Sequence, residues 1–166
     1  MPALEAGVAA PEIKLPLLDG GDFSLRQALS RGPVVVAFFK VNCPVCQLAF
    51  PYLERLYEAY SGSGKFGMFG VSQNDAAATK DFNHRFGVTF PDLLDDTHKY
   101  PASNAYGLTN VPSVFLISPE AEVEFSIVSW SKREYEQLNR KLAEISGMSP
   151  MMLFGPNDTV SEFKPG

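Results

Sequence analysis

Cysteine and histidine are scarce in this chain: two of each among 166 residues. A small disulfide-stapled scaffold is therefore excluded. A structural zinc site usually takes four ligands. Cys43 and Cys46 supply two, and His84 and His98 stand in no ligand spacing to one another. Basic residues are outnumbered as well: 14 Lys and Arg against 19 Asp and Glu give a net charge of −5 and a pI near 5.0. A nucleic-acid-binding domain would show a basic face, so no nucleic-acid partner is expected. Long apolar runs are missing too. Val34–Phe39 is far short of the roughly 20 residues that cross a bilayer as a helix. Behind Met1, the stretch Pro2-Ala3-Leu4-Glu5 has neither the basic head nor the apolar core of a secretory leader. That favours the cytoplasm, or an extracytoplasmic site if a leader has been cleaved from the chain.

What is present suits one folded domain. Hydrophobic residues make up 45% of the chain, and a chain of this size buries about 70% of its unfolded surface. A monomer is expected. Residues 1–22, rich in Pro, Gly and Ala, read as an irregular lead-in with a short strand at Glu12–Leu15. Ser24 is placed to cap a short helix. Val34–Phe39 is apolar throughout rather than alternating, the pattern of a central strand covered on both faces. Leu48, Tyr52, Leu53, Leu56 and Tyr57 recur at helical spacing as far as Tyr60, with Pro51 inside as an expected kink. Phe66, Met68, Phe69 and Val71 predict a second strand, and Asn74 or Asp75 caps a helix that stops at Gly87. A short strand or turn at Thr89–Leu94 and a helix over His98–Tyr106 follow. Pro112–Ile117 and Glu122–Val128 predict a hairpin, and Ser131 opens a last helix to about Ser146. The pattern predicts an α/β domain with a central mixed sheet over residues 1–147, and a docked tail over 148–166.

Cys43-Pro44-Val45-Cys46 falls where the first central strand gives way to the long helix. A purely structural disulfide here would close a very small loop and contribute little, since that contribution grows with loop length. A redox pair accounts for the position. Cys43 at the helix N-cap would face unpaired backbone N–H groups and the positive end of the helix dipole, which favours a thiolate. Cys46, one turn on and deeper, is placed to resolve a mixed disulfide formed by Cys43. Pro44 at the first helical position costs no hydrogen bond.

The stretches "FFKVNCPVCQLAFPYLERL", "FGMFGVSQND", "FGVTFPDLLDD" and "AYGLTNVPSVFLI", with the terminal helix, resemble the TlpA-like branch of the thioredoxin superfamily and its AhpC/TSA-type redoxins, over roughly Gly7 to Gly147. The resemblance implies a thioredoxin-like fold with an N-terminal extension and a thiol-disulfide oxidoreductase acting on protein disulfides. A redox donor protein or small thiol would return the electrons, and no cofactor is needed. It implies catalytic roles for Cys43, Cys46 and Pro112, with Pro112 following a cis peptide bond opposite the cysteines; an ordinary edge-strand proline is the plainer alternative. Asn42, Pro44, Val45 and Val111 would then meet the substrate.

Three departures from that pattern stand out. Asn42 replaces a frequent tryptophan, Ala37 a buried acid, and Ala49 a glutamate. The usual proton acceptors for Cys46 are thus absent, and Glu54, three turns along the helix, is too far away to substitute. Gln73 and Asn74 could face the site or simply form a turn and a cap; Lys40 reads as a solvated strand-end lysine. A thiol peroxidase is the runner-up, but Phe39 and Cys43 stand where its proline and threonine would be if Cys46 were the reactive cysteine. Trp130 reads as packing. A copper-binding or redox-sensing protein is a third possibility, although such copper proteins use CxxxC and a distal histidine.

Overall fold

Val34-Val35-Val36-Ala37-Phe38-Phe39 offers no polar side chain to water, and it forms a strand buried along its whole length (β3, Val34–Phe39). The computed structural model describes residues 3–166. Before β3 come a short antiparallel pair, β1 (Lys14–Pro16) and β2 (Asp22–Ser24), and the helix α1 (Leu25–Leu29). After it come α2 (Pro44–Tyr60), β4 (Gly67–Ser72), α3 (Ala76–Phe86), β5 (Asp92–Leu94) and α4 (Pro101–Ala105). The chain then runs through β6 (Ser113–Ile117), β7 (Val123–Val128), β8 (Trp130–Ser131), α5 (Lys132–Ser146) and β9 (Phe163–Lys164).

The main sheet has the order β5-β4-β3-β6-β7. β4 lies parallel to β3 and β5 parallel to β4, while β6 and β7 run antiparallel to their neighbours. Alternation along β3 divides the core in two. Val35, Ala37 and Phe39 pack with α2, α3 and α5; Val34, Val36 and Phe38 pack with the lead-in, α1 and α4. An all-apolar strand follows from that arrangement, because both faces are covered. The sheet is mixed, the helices flank it, and the chain is α/β.

Local chemistry sets the ends of the elements. Ser24, Asp75 and Ser131 cap α1, α3 and α5 with side-chain oxygens, and Gly87 and Gly147 end α3 and α5 in the left-handed conformation. Of the two candidates for the α3 cap, Asp75 is the residue used. α2 runs on through Pro51 as a single helix.

Three expected boundaries move. The first strand begins at Lys14, because the Glu12 carboxylate folds back to accept from the amides of Ile13 and Arg26. The strand after α3 begins only at Asp92: the amides of Thr89 and Phe90 donate to the buried Glu54 carboxylate, at 2.7 and 3.3 Å, instead of to a neighbouring strand. α4 begins at Pro101, not His98. A proline fits the first helical position, and the buried Asp95 carboxylate accepts from the amides of Ala102 and Ser103 at 3.1 and 3.0 Å.

Residues 148–166 lie against α2, α5 and β8. Leu153 is buried, Met151 is held at both its amide and carbonyl by Tyr60 and Asn139, and β9 pairs with β8.

Candidate functional site

β3 delivers the chain to one end of the sheet at Phe39, and the four residues Lys40 to Cys43 turn it into α2. That loop is fixed from two sides. Asn74 Oδ1 accepts from the Val41 amide at 3.0 Å, and Gln47 Nε2 donates to the Val41 carbonyl at 3.0 Å. Asn74 thus braces the loop rather than facing the cysteines. Gln73 turns away and donates to Ser103 Oγ at 2.9 Å. Asn42 sits in the loop and is exposed, as is Lys40.

Cys43 is the N-cap of α2. Its sulfur accepts from the Cys46 amide at 3.2 Å, and its thiol donates to the Val111 carbonyl at 3.6 Å. Pro44 takes the first turn of the helix, as its missing amide hydrogen allows. Both cysteines are free thiols; Cys43 is half-buried, and Cys46 is fully buried in the core beneath α2. Burial, reinforced by the neighbouring Cys43, pushes the Cys46 thiol far above the usual thiol range, and the nearby Lys40 backbone and charge offset only part of this. Cys46 is accordingly a neutral thiol at neutral pH, with a half-exposed sulfur in front of it.

The Val111–Pro112 peptide bond is cis, as the resemblance implied. Pro112 precedes β6, and its carbonyl accepts from the Ser129 amide at 2.8 Å, which leaves the Val111 carbonyl to the cysteine. The structure therefore gathers Cys43, Cys46, Pro44, Val45, Val111 and Pro112 at one end of the sheet. Glu54 lies elsewhere, bound to Thr89 and Phe90. Trp130 is wholly buried and packs on Tyr52 and Tyr135.

Ala37 and Ala49 leave the core around Cys46 without a carboxylate. One polar group there escaped the sequence reading. The Tyr135 hydroxyl, from α5, is buried and has no hydrogen-bond partner among the described residues. Burial first, and then the repulsion a Cys46 thiolate would exert, raise its pKa above the usual phenol range. Nothing in the local sequence distinguishes Tyr135 from any other aromatic residue on a helix face. Among the described residues, no three His, Cys, Asp or Glu side chains gather where they could hold a metal ion, and no helix is long and apolar enough to cross a membrane.

Comparisons with known proteins agree with this geometry. The thiol-disulfide oxidoreductase ResA of Geobacillus thermodenitrificans (strain NG80-2) is 29% identical over 133 residues, covering 80% of this chain and 74% of that protein. ResA of Halalkalibacterium halodurans is 30% identical over 119 residues, covering 71% of this chain and 65% of that protein. In structure, the chain resembles the thioredoxin domain of a thiol-disulfide oxidoreductase from Bacteroides vulgatus, with a TM-score of 0.73 at 22% identity over 84% of this chain and 99% of that one. The peroxidoxin BcpB of Mycobacterium tuberculosis shares the fold too, with a TM-score of 0.69 at 19% identity over 88% and 99% of the two chains. The sequence pattern of the AhpC/TSA family matches residues 6–126. With a thioredoxin-like fold, a cysteine pair at the start of α2 and that match over most of its length, this chain belongs to the AhpC/TSA family.

Proposed function

We propose that this protein is a thiol-disulfide oxidoreductase that exchanges disulfides with protein substrates through Cys43 and Cys46. The observation that carries this reading is the unequal placement of the two sulfurs. Cys43 is half-exposed at the helix start beside the Val111 carbonyl, and Cys46 is buried one turn behind it. The names of the ResA relatives support the same chemistry.

In the reducing direction, the Cys43 sulfur attacks a substrate disulfide. One substrate sulfur leaves as a thiolate, and a Cys43–substrate disulfide forms. Cys46 then attacks the Cys43 sulfur, losing its proton; the second substrate sulfur leaves and ends protonated. Two electrons pass from the dithiol to the substrate, and the chain is left with a Cys43–Cys46 disulfide. A partner dithiol protein or a small thiol restores it. In the oxidising direction the same steps run backwards. Pro112 and Val111 present the strand edge to an extended substrate segment, and Asn42, Pro44 and Val45 form the remaining surface around Cys43.

A peroxidase acting through Cys46 is disfavoured by burial, since the peroxide would have to reach a sulfur with 0% exposure. The roles are tested by exchange. Cys46→Ser is expected to trap a mixed disulfide between Cys43 and a substrate protein, visible on non-reducing gels. Cys43→Ser is expected to trap none and to lose insulin reduction with dithiothreitol. If Cys43→Ser traps partners while Cys46→Ser does not, the nucleophile is misassigned. Full activity in both variants would remove the redox function.

A further inference from the structure

The strand edge beside Cys43 is already occupied by this chain. From Asp158, which pairs with Arg55 at 2.8 Å, the polypeptide runs along β8. The Ser161 carbonyl accepts from Trp130 Nε1 at 2.7 Å, and the Glu162 carbonyl accepts from the Lys132 amide at 2.8 Å. Beyond β9 the chain reaches the Val111 loop. The Gly166 amide donates to Ser129 Oγ at 2.8 Å, and Asn110 Nδ2 donates to the Gly166 carbonyl at 2.9 Å. The Gly166 backbone lies so close to Val111 that a Cβ built on it would stand 2.0 Å from the Val111 oxygen. That oxygen is the one the Cys43 thiol meets. A cleft of about 180 Å³ remains between the first turn of α2 (Pro44, Val45, Leu48) and the tail residues Thr159, Val160 and Lys164.

We propose that residues 158–166 are a strap over the substrate-docking edge, seated against Val111 at rest and displaced there by an extended segment of a protein substrate. This deepens, and rests on, the disulfide-exchange reading. The strap is fastened unequally. Its start is held by the Arg55–Asp158 ion pair, the Trp130 bond and the β8–β9 pairing, whereas its tip is held by two side-chain hydrogen bonds, with Gly166 itself exposed. The tip can therefore lift while the rest stays docked. A small disulfide reaches the half-exposed Cys43 sulfur from the side of Pro44 and Val45 without moving the strap. A protein segment that lies along the Val111–Pro112 edge has to take the place of Gly166. The strap thus favours protein substrates able to supply their own backbone in exchange for that of Gly166, and it slows those that cannot.

Gly166→Ala tests this in the full chain, because its methyl group would meet the Val111 backbone and force the tip off; Ser129→Ala removes one fastening bond without adding bulk. The assay follows reduction of insulin and of dithiodipyridine, a small aromatic disulfide, by each reduced protein. Losing one hydrogen bond of ordinary net strength shifts the open-to-closed ratio about two- to tenfold. Insulin reduction is expected to rise by about that factor in both variants, with the dithiodipyridine rate unchanged. An insulin rate that stays level or falls while dithiodipyridine still reacts overturns the strap. If the unsubstituted chain reduces neither disulfide, the exchange reading fails, and the strap falls with it.

Discussion

Asp92 lies on β5 opposite Gly70 of β4, with only 2% of its surface exposed. Asn83 donates an amide hydrogen to Asp92 Oδ2, while Asp92 Oδ1 and Asn83 Oδ1 have no partner among the described residues. Two buried acceptors without donors are costly, and a proton on the carboxyl group supplies the donor that the pair lacks. Burial pushes the Asp92 carboxyl up to about 7, aided by the charge of Asp19 and opposed by the Asn83 bond. The folded chain thus holds this proton more tightly than the unfolded one, whose carboxyl has the ordinary value of 3.8. The sign follows from linkage: the contribution is fully present below the unfolded value and is lost as pH rises through the folded one. At about 1.4 kcal/mol per tenfold change in proton affinity, the whole effect is about 4 kcal/mol. About 3 kcal/mol of that falls between about pH 5 and about pH 8, below the range where the buried Cys46 thiol adds its own dependence. Urea unfolding of the reduced protein, followed by far-UV circular dichroism across that interval, measures it. Asp92→Asn keeps the shape, offers an amide donor and cannot titrate, so its stability is expected to be flatter with pH by about 3 kcal/mol. Parallel profiles for the two proteins would refute the argument.

Glu54→Ala is expected to destabilise the chain by about 2–4 kcal/mol, because it strips acceptors from the Thr89 amide, the Thr89 hydroxyl and the Phe90 amide in a part-buried setting. Urea midpoints measure this, and a loss below about 1 kcal/mol would show that water or the backbone replaces the carboxylate. Tyr135→Phe removes a buried hydroxyl without a partner and keeps the ring 4.6 Å from Trp130. Its stability in the same assay is expected to stay level or rise by about 1 kcal/mol; a comparable fall would mean that the hydroxyl is bonded in solution.

The parts of this molecule that were legible in sequence are those governed by local rules. The unbroken apolar run of β3, the caps at Ser24 and Ser131, the stop at Gly87 and the placement of Cys43 at a helix start all follow from spacing and side-chain chemistry within a few residues. The resemblance to known redoxins added Pro112 and its cis bond, which no local rule supplies. The misplaced boundaries have long-range causes. Thr89 and Phe90 fit a strand by composition, but their amides are claimed by Glu54, 35 and 36 residues earlier in the chain. His98 is not helical because Asp95 fastens the helix start at Ala102 and Ser103. The bracing of Val41 by Asn74, the solitary hydroxyl of Tyr135 and the approach of Gly166 to Val111 depend on pairs far apart in the chain. No periodicity encodes them.

Trp130 is the only tryptophan in the chain. Its indole lies between Tyr52 of α2, Tyr135 of α5 and Phe154 of the tail, with centroids 5.4, 4.6 and 5.9 Å away, and its N–H is bound to the tail at Ser161. Fluorescence from this protein is therefore weighted toward the seam where the tail meets the domain. Peeling off residues 154–161 would wet the indole and shift its emission to the red while the sheet and helices remain intact. Lifting only the tip at Gly166 would leave the spectrum almost unchanged. An unfolding curve recorded by emission and one recorded by helix content report on different cooperative units wherever the tail leaves first, and the midpoint of the emission transition multiplied by its denaturant slope gives the free energy with which that segment is docked.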